Sequence, residues 1–430
     1  MSATYTDHQE NGMLIKTILN RIEKQPGFVY GKVHFVEEEG RMALGVDVWP
    51  RARSRAVCSG CREPRPGYDT LPVRRFEFVP MWGLRVYFLY PLRRVDCATC
   101  GVRVELVPWA QGKSPLTTTY AWFLARWAKR LSWKGTAEAF HASWHSVVRS
   151  VKMAVAWGLE HRNLDGVSAI GIDEISRGQG QKYATLVYQI DAGAKRLLWV
   201  GKDRTMKTLL KFFKGFGEER SAALGFVCSD MWKPYLRVIA KKAAQAVHVL
   251  DRFHIMSHMG KAIDEVRAKE VKELKAKGKE PVLTNTRWCL LKRTENLTDP
   301  QQIKLKELLH CNLKTVRAYL LKEDFQWFWD YLSPTWAGKF LDAWCKRTMR
   351  SRLKPMKRVA KMLRAHRDLL LNWFRARQGR VALGVVEGFN NKARVTTKRS
   401  YGFRTYDLLE LALYHTLGDL PEPEGTHEFF

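Results

Sequence analysis

The hydrophobic period of the chain changes several times, and each change marks a different kind of structure. Residues 75–79 (Arg-Phe-Glu-Phe-Val) and 85–90 (Arg-Val-Tyr-Phe-Leu-Tyr) are rich in β-branched and aromatic side chains and flank Pro80-Met81-Trp82-Gly83. That pattern predicts a hairpin. Three helices follow. Residues 117–130 carry Trp122, Leu124, Trp127 and Ala128 at helical spacing, Ser132 caps a short helix through residue 140, and His141-Ala142 makes a tight link. Ser143 caps a third helix through about residue 159, with Val147, Val148, Val151, Val155 and Leu159 on its apolar face.

From residue 167 the period is that of strands. Strands are predicted over 167–172, 183–190 and 196–200, joined by turns at Gly178-Gln179-Gly180 and Asp191-Ala192-Gly193-Ala194. A helix over 206–216, a strand over 224–228, a helix over 235–242 and a strand over 246–250 complete an α/β unit. Residues 252–380 return to helical spacing, seen in Leu305, Leu308, Leu309, Val316 and Leu320 and in Trp336, Phe340 and Trp344. Trp327, Phe328, Trp329, Trp336, Trp344 and Trp373 read as core rather than as base-stacking platforms.

Composition narrows the partners. Among 430 residues, 73 Lys and Arg face 43 Asp and Glu, a formal net charge of +30. Hydrophobic residues at 46% suffice for packed cores. The charge points to a polyanion, nucleic acid first, and away from a small-molecule metabolic enzyme. No apolar run reaches the ~20 residues a membrane helix needs, so no membrane partner is expected. The start, MSATYTDHQENG, has no basic n-region or apolar h-region. A reducing, cytoplasmic setting suits eight sparse cysteines, and there paired cysteines more often bind metal.

Cys58-Ser59-Gly60-Cys61 and Cys97-Ala98-Thr99-Cys100-Gly101 form two such pairs. A two-residue gap lets both thiolates face one tetrahedral ion, and the hairpin would return the second pair to the first. Four thiolates leave no open position, so Zn²⁺ here would be structural; the alternative is accidental free cysteines. Cys228, Cys289, Cys311 and Cys345 read as core thiols. The three helices fit a helix-turn-helix, with Trp144, His145, Ser146 and Arg149 toward base edges and Lys152 in reach of phosphate. An ordinary three-helix packing unit is the alternative.

Three apolar strands end in acids: Asp173, Asp230 and Asp251. Carboxylates at strand ends are accessible yet rigidly held, which suits a hard cation. The basic run over 346–380 has Asp368 as its lone acid, and Arg350 and Arg352 within it are expected to contact DNA phosphates. On a helix, Glu387, Asn391, Arg394 and Lys398 share one face, a carboxylate for metal beside donors for phosphate. Gly388 costs about 1 kcal/mol in a helix relative to Ala, which suggests a close-fitting neighbour.

Ile172-Asp173-Glu174, Ser229-Asp230-Met231-Trp232-Lys233-Pro234-Tyr235, Asp251-Arg252-Phe253-His254, Glu387-Gly388-Phe389-Asn390-Asn391-Lys392 and Tyr401-Gly402-Phe403-Arg404 occur in this order. Together they strongly resemble the ISL3 insertion-sequence family of bacterial DDE transposases, across almost the whole chain. The resemblance implies a multidomain α+β and α/β protein. An N-terminal region with a zinc ribbon (1–112) and a helix-turn-helix (113–162) would precede an RNase H-like, retroviral integrase-like core (163–255 and 381–430, with a C-terminal tail). A helical insertion (256–380) would interrupt that core.

It further implies Asp173, Asp230 and Glu387 as the catalytic triad, holding two Mg²⁺ ions with Mn²⁺ able to substitute, and Asp251 and His254 as supporting residues. Two ions ~3.5–4 Å apart serve an in-line displacement at phosphorus. Water would cut at the transposon end and the freed 3′-hydroxyl would attack target DNA. The expected partners are double-stranded DNA, as terminal inverted repeats and target, and a second copy in a synaptic homodimer. The expected location is the bacterial cytoplasm at the nucleoid. The rivals are a zinc-ribbon/helix-turn-helix regulator without catalysis, a related metal-dependent nuclease or resolvase, and a tyrosine recombinase.

Overall fold

The computed structural model describes residues 14–38, 40–177, 182–279, 282–292, 294–378, 385–399 and 403–424. Two compact units emerge, Met1–Arg162 with Leu420–Phe430, and Asn163–Asp419.

In the first unit, α1 (Ile15–Ile22) leads into β1 (Phe28–Glu38), β2 (Arg41–Pro50), β3 (Gly67–Met81), β4 (Leu84–Cys97) and β5 (Gly101–Val104). They form one sheet in the order β1-β2-β4-β3, with β5 also on β4. The expected hairpin is β3–β4, longer than its apolar core implied, and it reverses at Trp82 and Gly83, both with positive φ. The β1–β2 hairpin had no counterpart in the sequence reading. Its alternation is blurred because Phe35, Met42 and Trp49 stay exposed.

Trp109 is the centre of the packing. Phe28, Phe76 and Tyr90 meet its ring edge-on at 4.8, 5.9 and 5.4 Å. Such contacts add about 0.5–1.5 kcal/mol each beyond the area they bury.

Helices α2 (Thr118–Arg130), α3 (Trp133–Ala139) and α4 (Trp144–His161) follow. Thr117, Ser132 and Ser143 cap them, accepting from the amides of Tyr120, Gly135 and Ser146. His141 takes φ +51 in the tight link between α3 and α4. The C-terminal stretch returns to this bundle. A Cβ on Gly158 would stand 2.6 Å from the Cβ of Leu420, and Glu422 accepts from Arg126 and Lys129 at 2.6 and 2.7 Å.

The second unit is built on β6 (Ala169–Ser176), β7 (Tyr183–Ile190), β8 (Lys195–Gly201), β9 (Phe226–Ser229) and β10 (Val247–Leu250), with α5 (Met206–Phe216), α6 (Glu218–Ala222) and α7 (Lys233–Lys242) between β8 and β10. Its order is β10-β9-β6-β7-β8. Strands β6, β7 and β8 are antiparallel, whereas β6, β9 and β10 are parallel. Burial on both faces explains why these strands read as apolar runs rather than alternations.

A helical layer continues from β10: α8 (Arg252–Ala276), α9 (Arg287–Leu291), α10 (Asp299–Leu309), α11 (Lys314–Gln326), α12 (Pro334–Arg350), α13 (Lys354–Ala365) and α14 (Arg367–Gln378). Phe328, Trp329 and Trp344 form its aromatic centre, as expected, together with Phe325. Trp327 and Trp336 do not join it, being 65% and 60% exposed. They fall at positions of the aromatic run that face outward. Cys228, Cys289 and Cys345 are buried, but Cys311, at the end of α10, is only half-buried.

Two further helices, α15 (Val385–Arg399) and α16 (Tyr406–Leu417), close the unit, with α15 against β6 and β7. Gly171 permits that approach, since a Cβ there would meet Val386 Cγ2 at 2.4 Å. Gly388 was expected to face a close neighbour, yet among the described residues nothing outside its own helix backbone lies within 4 Å of a Cβ built on it. The close-fitting glycine is on the strand, not the helix. No described helix is long and apolar enough to cross a membrane.

Candidate active site

Strand register brings three acids level. In the parallel ladders Gly171 pairs with Cys228 and Ser229 with Leu250. Continuing two residues along β6 and β9, and one along β9 and β10, aligns Asp173, Asp230 and Asp251 on three adjacent strands. Neighbouring strands lie about 4.8 Å apart, so the acids share one rim at the C-terminal ends of these strands. Such rims are where open α/β sheets bind ligands.

Two of the acids converge further. Ligand atoms of Asp173, Asp251 and His254 all lie within 4.8 Å of one another. His254 Nε2 is 3.4 Å from Asp173 Oδ2 and 3.8 Å from Asp251 Oδ2. Burial opposes a charge on this imidazole, but Asp173, Asp251 and Asp230 outweigh it and raise His254 to about 9. Its proton does what a bound cation would do, balancing the carboxylates, and a metal would displace it. Asp251 also caps α8 through the amide of Phe253, which fixes His254 one turn away. Asp173 is held on both oxygens. The Glu174 amide donates to Oδ1 at 2.7 Å and Asn390 of α15 donates to Oδ2. Tyr188 in turn donates to Asn390 Oδ1 at 3.0 Å, fixing the amide's orientation.

Asp230 is engaged differently. Its Oδ1 accepts from the Trp232 amide at 2.9 Å and its Oδ2 from Arg204 at 2.6 Å. The same guanidinium stands 2.8 Å from the buried carboxylate of Glu174 and lies over the Trp232 ring at 4.6 Å. The Glu174 contact is ionic, without hydrogen-bond alignment. Burial, then the charge of Asp230, push Glu174 up to about 7, with Arg204 pulling the other way. Beneath Asp230, the Ser229 hydroxyl donates to the Asp230 carbonyl and lies 2.8 Å from His248 Nε2.

The second cluster is in the first unit. The sulfurs of Cys58, Cys61, Cys97 and Cys100 also lie within 4.8 Å of one another, Cys61 and Cys97 at 3.7 Å. Amides of Cys61 and Gly60 hold the Cys58 thiol below its usual range. Burial opposes the same shift at Cys97, but the amides of Cys100 and Thr99 win. Burial and the neighbouring Cys97 push Cys100 up. A Cβ on Gly60 would meet Cys100 Sγ at 2.8 Å, so this position must lack a side chain. Four soft donors in this arrangement fit one tetrahedral ion such as zinc.

The remaining expected residues divide. Trp144, His145, Arg149 and Lys152 are exposed on α4, Ser146 is half-buried, and Trp144 leans on Trp133 at 6.5 Å. Asn391, Arg394 and Lys398 are exposed along α15, opposite its buried face of Val386, Phe389, Asn390 and Ala393. Glu387 falls in the first turn of α15, but its side chain lies outside the described residues, as do Tyr401, Gly402 and the expected turn at Gly178-Gln179-Gly180. Arg350 and Arg352 are exposed. Their basic run is less unbalanced than its sequence implied, because Arg347, Arg358 and Arg367 pair with Asp324, Glu265 and Asp342 from other helices.

Residues 170–413 match the profile of a transposase family, the ISL3 group of DDE transposases. The chain belongs to the ISL3 transposase family. Among its relatives is the transposase for insertion sequence element IS1001 of Bordetella parapertussis, 26% identical over 93% of this chain and 98% of that protein. Another is the transposase for insertion sequence element IS1557 of Mycobacterium tuberculosis, 27% identical over 91% of this chain and 93% of that protein. The stretch matching the ISL3 family includes all the acids above, whereas the cysteines and capped helices precede it. Arg204, Asn390, Tyr188 and His248 were not singled out in the sequence. Tyr188 and His248 are lone polar residues in apolar strands, Arg204 and Asn390 sit among other polar residues, and each partner lies 19 to 217 residues away. Glu174 was visible beside Asp173, but only the fold reveals its arginine.

Proposed function

We propose that this ISL3 family member cuts and joins DNA strands at the ends of its insertion sequence, with Asp173, Asp230 and Glu387 as the acids that hold two divalent metal ions, Mg²⁺ by preference. The observation that carries the reading is the convergence of Asp173, Asp251 and His254 across the parallel strands β6 and β10, which flank β9. A mixed sheet of order β10-β9-β6-β7-β8 with helices on both faces supports an RNase H-like core. Glu387 supports it by position, standing one helical turn before Asn390, which reaches Asp173.

When bound, a pair of divalent ions supplies a polarised phosphoryl group and an activated attacking oxygen. The chain's own groups prepare that chemistry. Asn390 and the Glu174 amide aim the Asp173 carboxylate. Asp251 and His254 complete an oxygen and nitrogen donor set suited to a borderline or hard cation. Arg204 neutralises Asp230 and Glu174 until a substrate phosphate or a metal takes its place. In the first unit, a structural Zn²⁺ on the four cysteines would stiffen a ribbon. Helix α4 would read terminal repeats through Trp144, His145, Ser146 and Arg149, with Lys152 on phosphate. Pairing two transposon ends calls for a homodimer, working where bacterial DNA lies, in the cytoplasm.

The test is cleavage of linear DNA bearing the element's ends, in Mg²⁺ or EDTA. Cutting at the ends is expected in Mg²⁺ alone. Asp173→Asn, Asp230→Asn and Glu387→Gln should each slow it by about 10³-fold or more, the scale of removing a group that acts on the transition state, with end binding unchanged. Full cleavage by any of the three would remove that residue from the site.

A further inference from the structure

A groove of about 930 Å³ opens beside the acids, beginning at Asp251. It follows one face of α8 through Phe253, Ser257, Gly260 and Asp264 to Ala268, about 22 Å of helix. Trp288 of α9 and Trp373 of α14 also line it. Phe253 and Trp288 are 45% and 55% exposed, large flat surfaces that the fold leaves uncovered. Gly260 keeps the α8 wall free of a side chain between them.

The lining is also prepared for phosphate. Asp264 is already answered by Arg267 at 2.8 Å and Arg287 at 3.1 Å, and Glu265 by Arg358. Lys261 has no ion pair among the described residues, and the Arg287 guanidinium sits 5.4 Å from the Trp288 ring centroid. A cation beside an exposed indole is the usual combination for single-stranded nucleic acid, the base stacking while the backbone meets the charge. The volume falls in the range of sites for small molecules and cofactors, room for one or two nucleotides and too little for a duplex.

We propose that this groove receives one or two unpaired bases of the DNA strand adjoining the phosphate that is cut, stacked on Trp288 and Phe253, with Lys261 on an intervening phosphate. This rests on the reading of the acids as a strand-cutting site. It adds that the enzyme unpairs the end before cutting it.

Full-length protein is bound in Ca²⁺ to end-bearing DNA carrying 5-iodouracil at successive positions around the cut, then irradiated. Crosslinks from the one or two positions nearest the cut are expected on peptides containing Phe253 or Trp288. Trp288→Ala should cut paired ends roughly 5- to 150-fold more slowly, and Trp288→Phe should keep most of the rate. Mismatches beside the cut should recover much of the loss, which a misfolded variant would not show. Crosslinks mapping elsewhere, or equal cutting of paired ends by Trp288→Ala and wild type, overturn the proposal. So does a Trp288→Ala defect confined to association between protein copies. Crosslinking needs no cleavage, so it is read independently of the triad; cleavage by Asp173→Asn would instead overturn the reading on which the groove rests.

Discussion

The cysteine cluster and the carboxylate cluster each draw donor atoms within 4.8 Å, but they leave them in opposite states. At the cysteines, backbone amides favour the anionic form of Cys58 and Cys97, and among the described residues the side-chain cation hydrogen-bonded to them is Arg65, 3.8 Å from Cys61. Four such thiols fit one tetrahedral metal ion. At the acids, the chain supplies its own cations: Arg204 holds Asp230 and Glu174, and His254 sits between Asp173 and Asp251. A structural site is completed once and stays closed. A site meant for a transient ion and a phosphate is kept balanced, with groups that can give way.

The sharpest way to break that comparison is to remove one cysteine. Cys97→Ser should lose bound zinc and lower the melting temperature of the protein by about 10 °C or more, since a structural metal's binding energy is folding energy. Titration of Mn²⁺ to the acids should be unchanged. Zinc retained at one ion per chain, with unaltered melting, would show the four thiols to be ordinary core residues.

Arg204→Gln tests the other half. Breaking a partly buried pair leaves the carboxylates uncompensated, at a cost of about 3 kcal/mol in metal-free buffer. Divalent ion should then restore more stability to the variant than it adds to wild type, because it now supplies the missing charge. Equal shifts with Mn²⁺ would mean that Arg204 does not stand in for a cation.

The two sites also differ in how far the sequence revealed them. The cysteine pairs are written in spacing, since two thiols on a three-residue step must face together, and the intervening hairpin had only to return. Helix caps at Ser132 and Ser143 were equally local. Strand-end acids were visible one at a time, but that Asp173 and Asp251 share His254 depends on a parallel register between strands far apart in the chain. Arg204 lay in no motif, Asn390 lay in one but without a role of its own, and the β1–β2 hairpin was hidden by its exposed Phe35, Met42 and Trp49. Chemistry carried by short-range spacing was legible; chemistry created by long-range pairing was not.

His248 supports the acid rim from below and titrates against it. Burial holds this imidazole down to about 4, against about 6.5 in the unfolded chain. The folded state therefore favours the neutral ring. Its contribution is complete above pH 6.5 and is lost as the pH falls from there toward 4. Wild type should lose at most about 3 kcal/mol more than His248→Asn over that window, measured by denaturant unfolding. Parallel curves for the two proteins would remove His248 from the foundation of the site.

The distinction between groups already satisfied and groups held open extends, with the smallest effects, to the arginines of α12 and the turn after it. Arg347 is paired to Asp324, whereas Arg350 and Arg352 are exposed and have no ion pair among the described residues. A side chain that neutralises one DNA phosphate adds about 0.9 to the slope of log affinity against log salt. Arg350→Gln and Arg352→Gln should each lower the slope by about that amount. Gln is chosen over Gly because Arg352 sits at φ +62, where Gly would also relieve backbone strain and confuse the result. Arg347→Gln should change the slope less, since its charge is largely spent on Asp324. Equal changes at all three positions would mean that a surface ion pair does not withhold an arginine from DNA, and that this region contacts phosphate through its summed charge rather than through the two open residues.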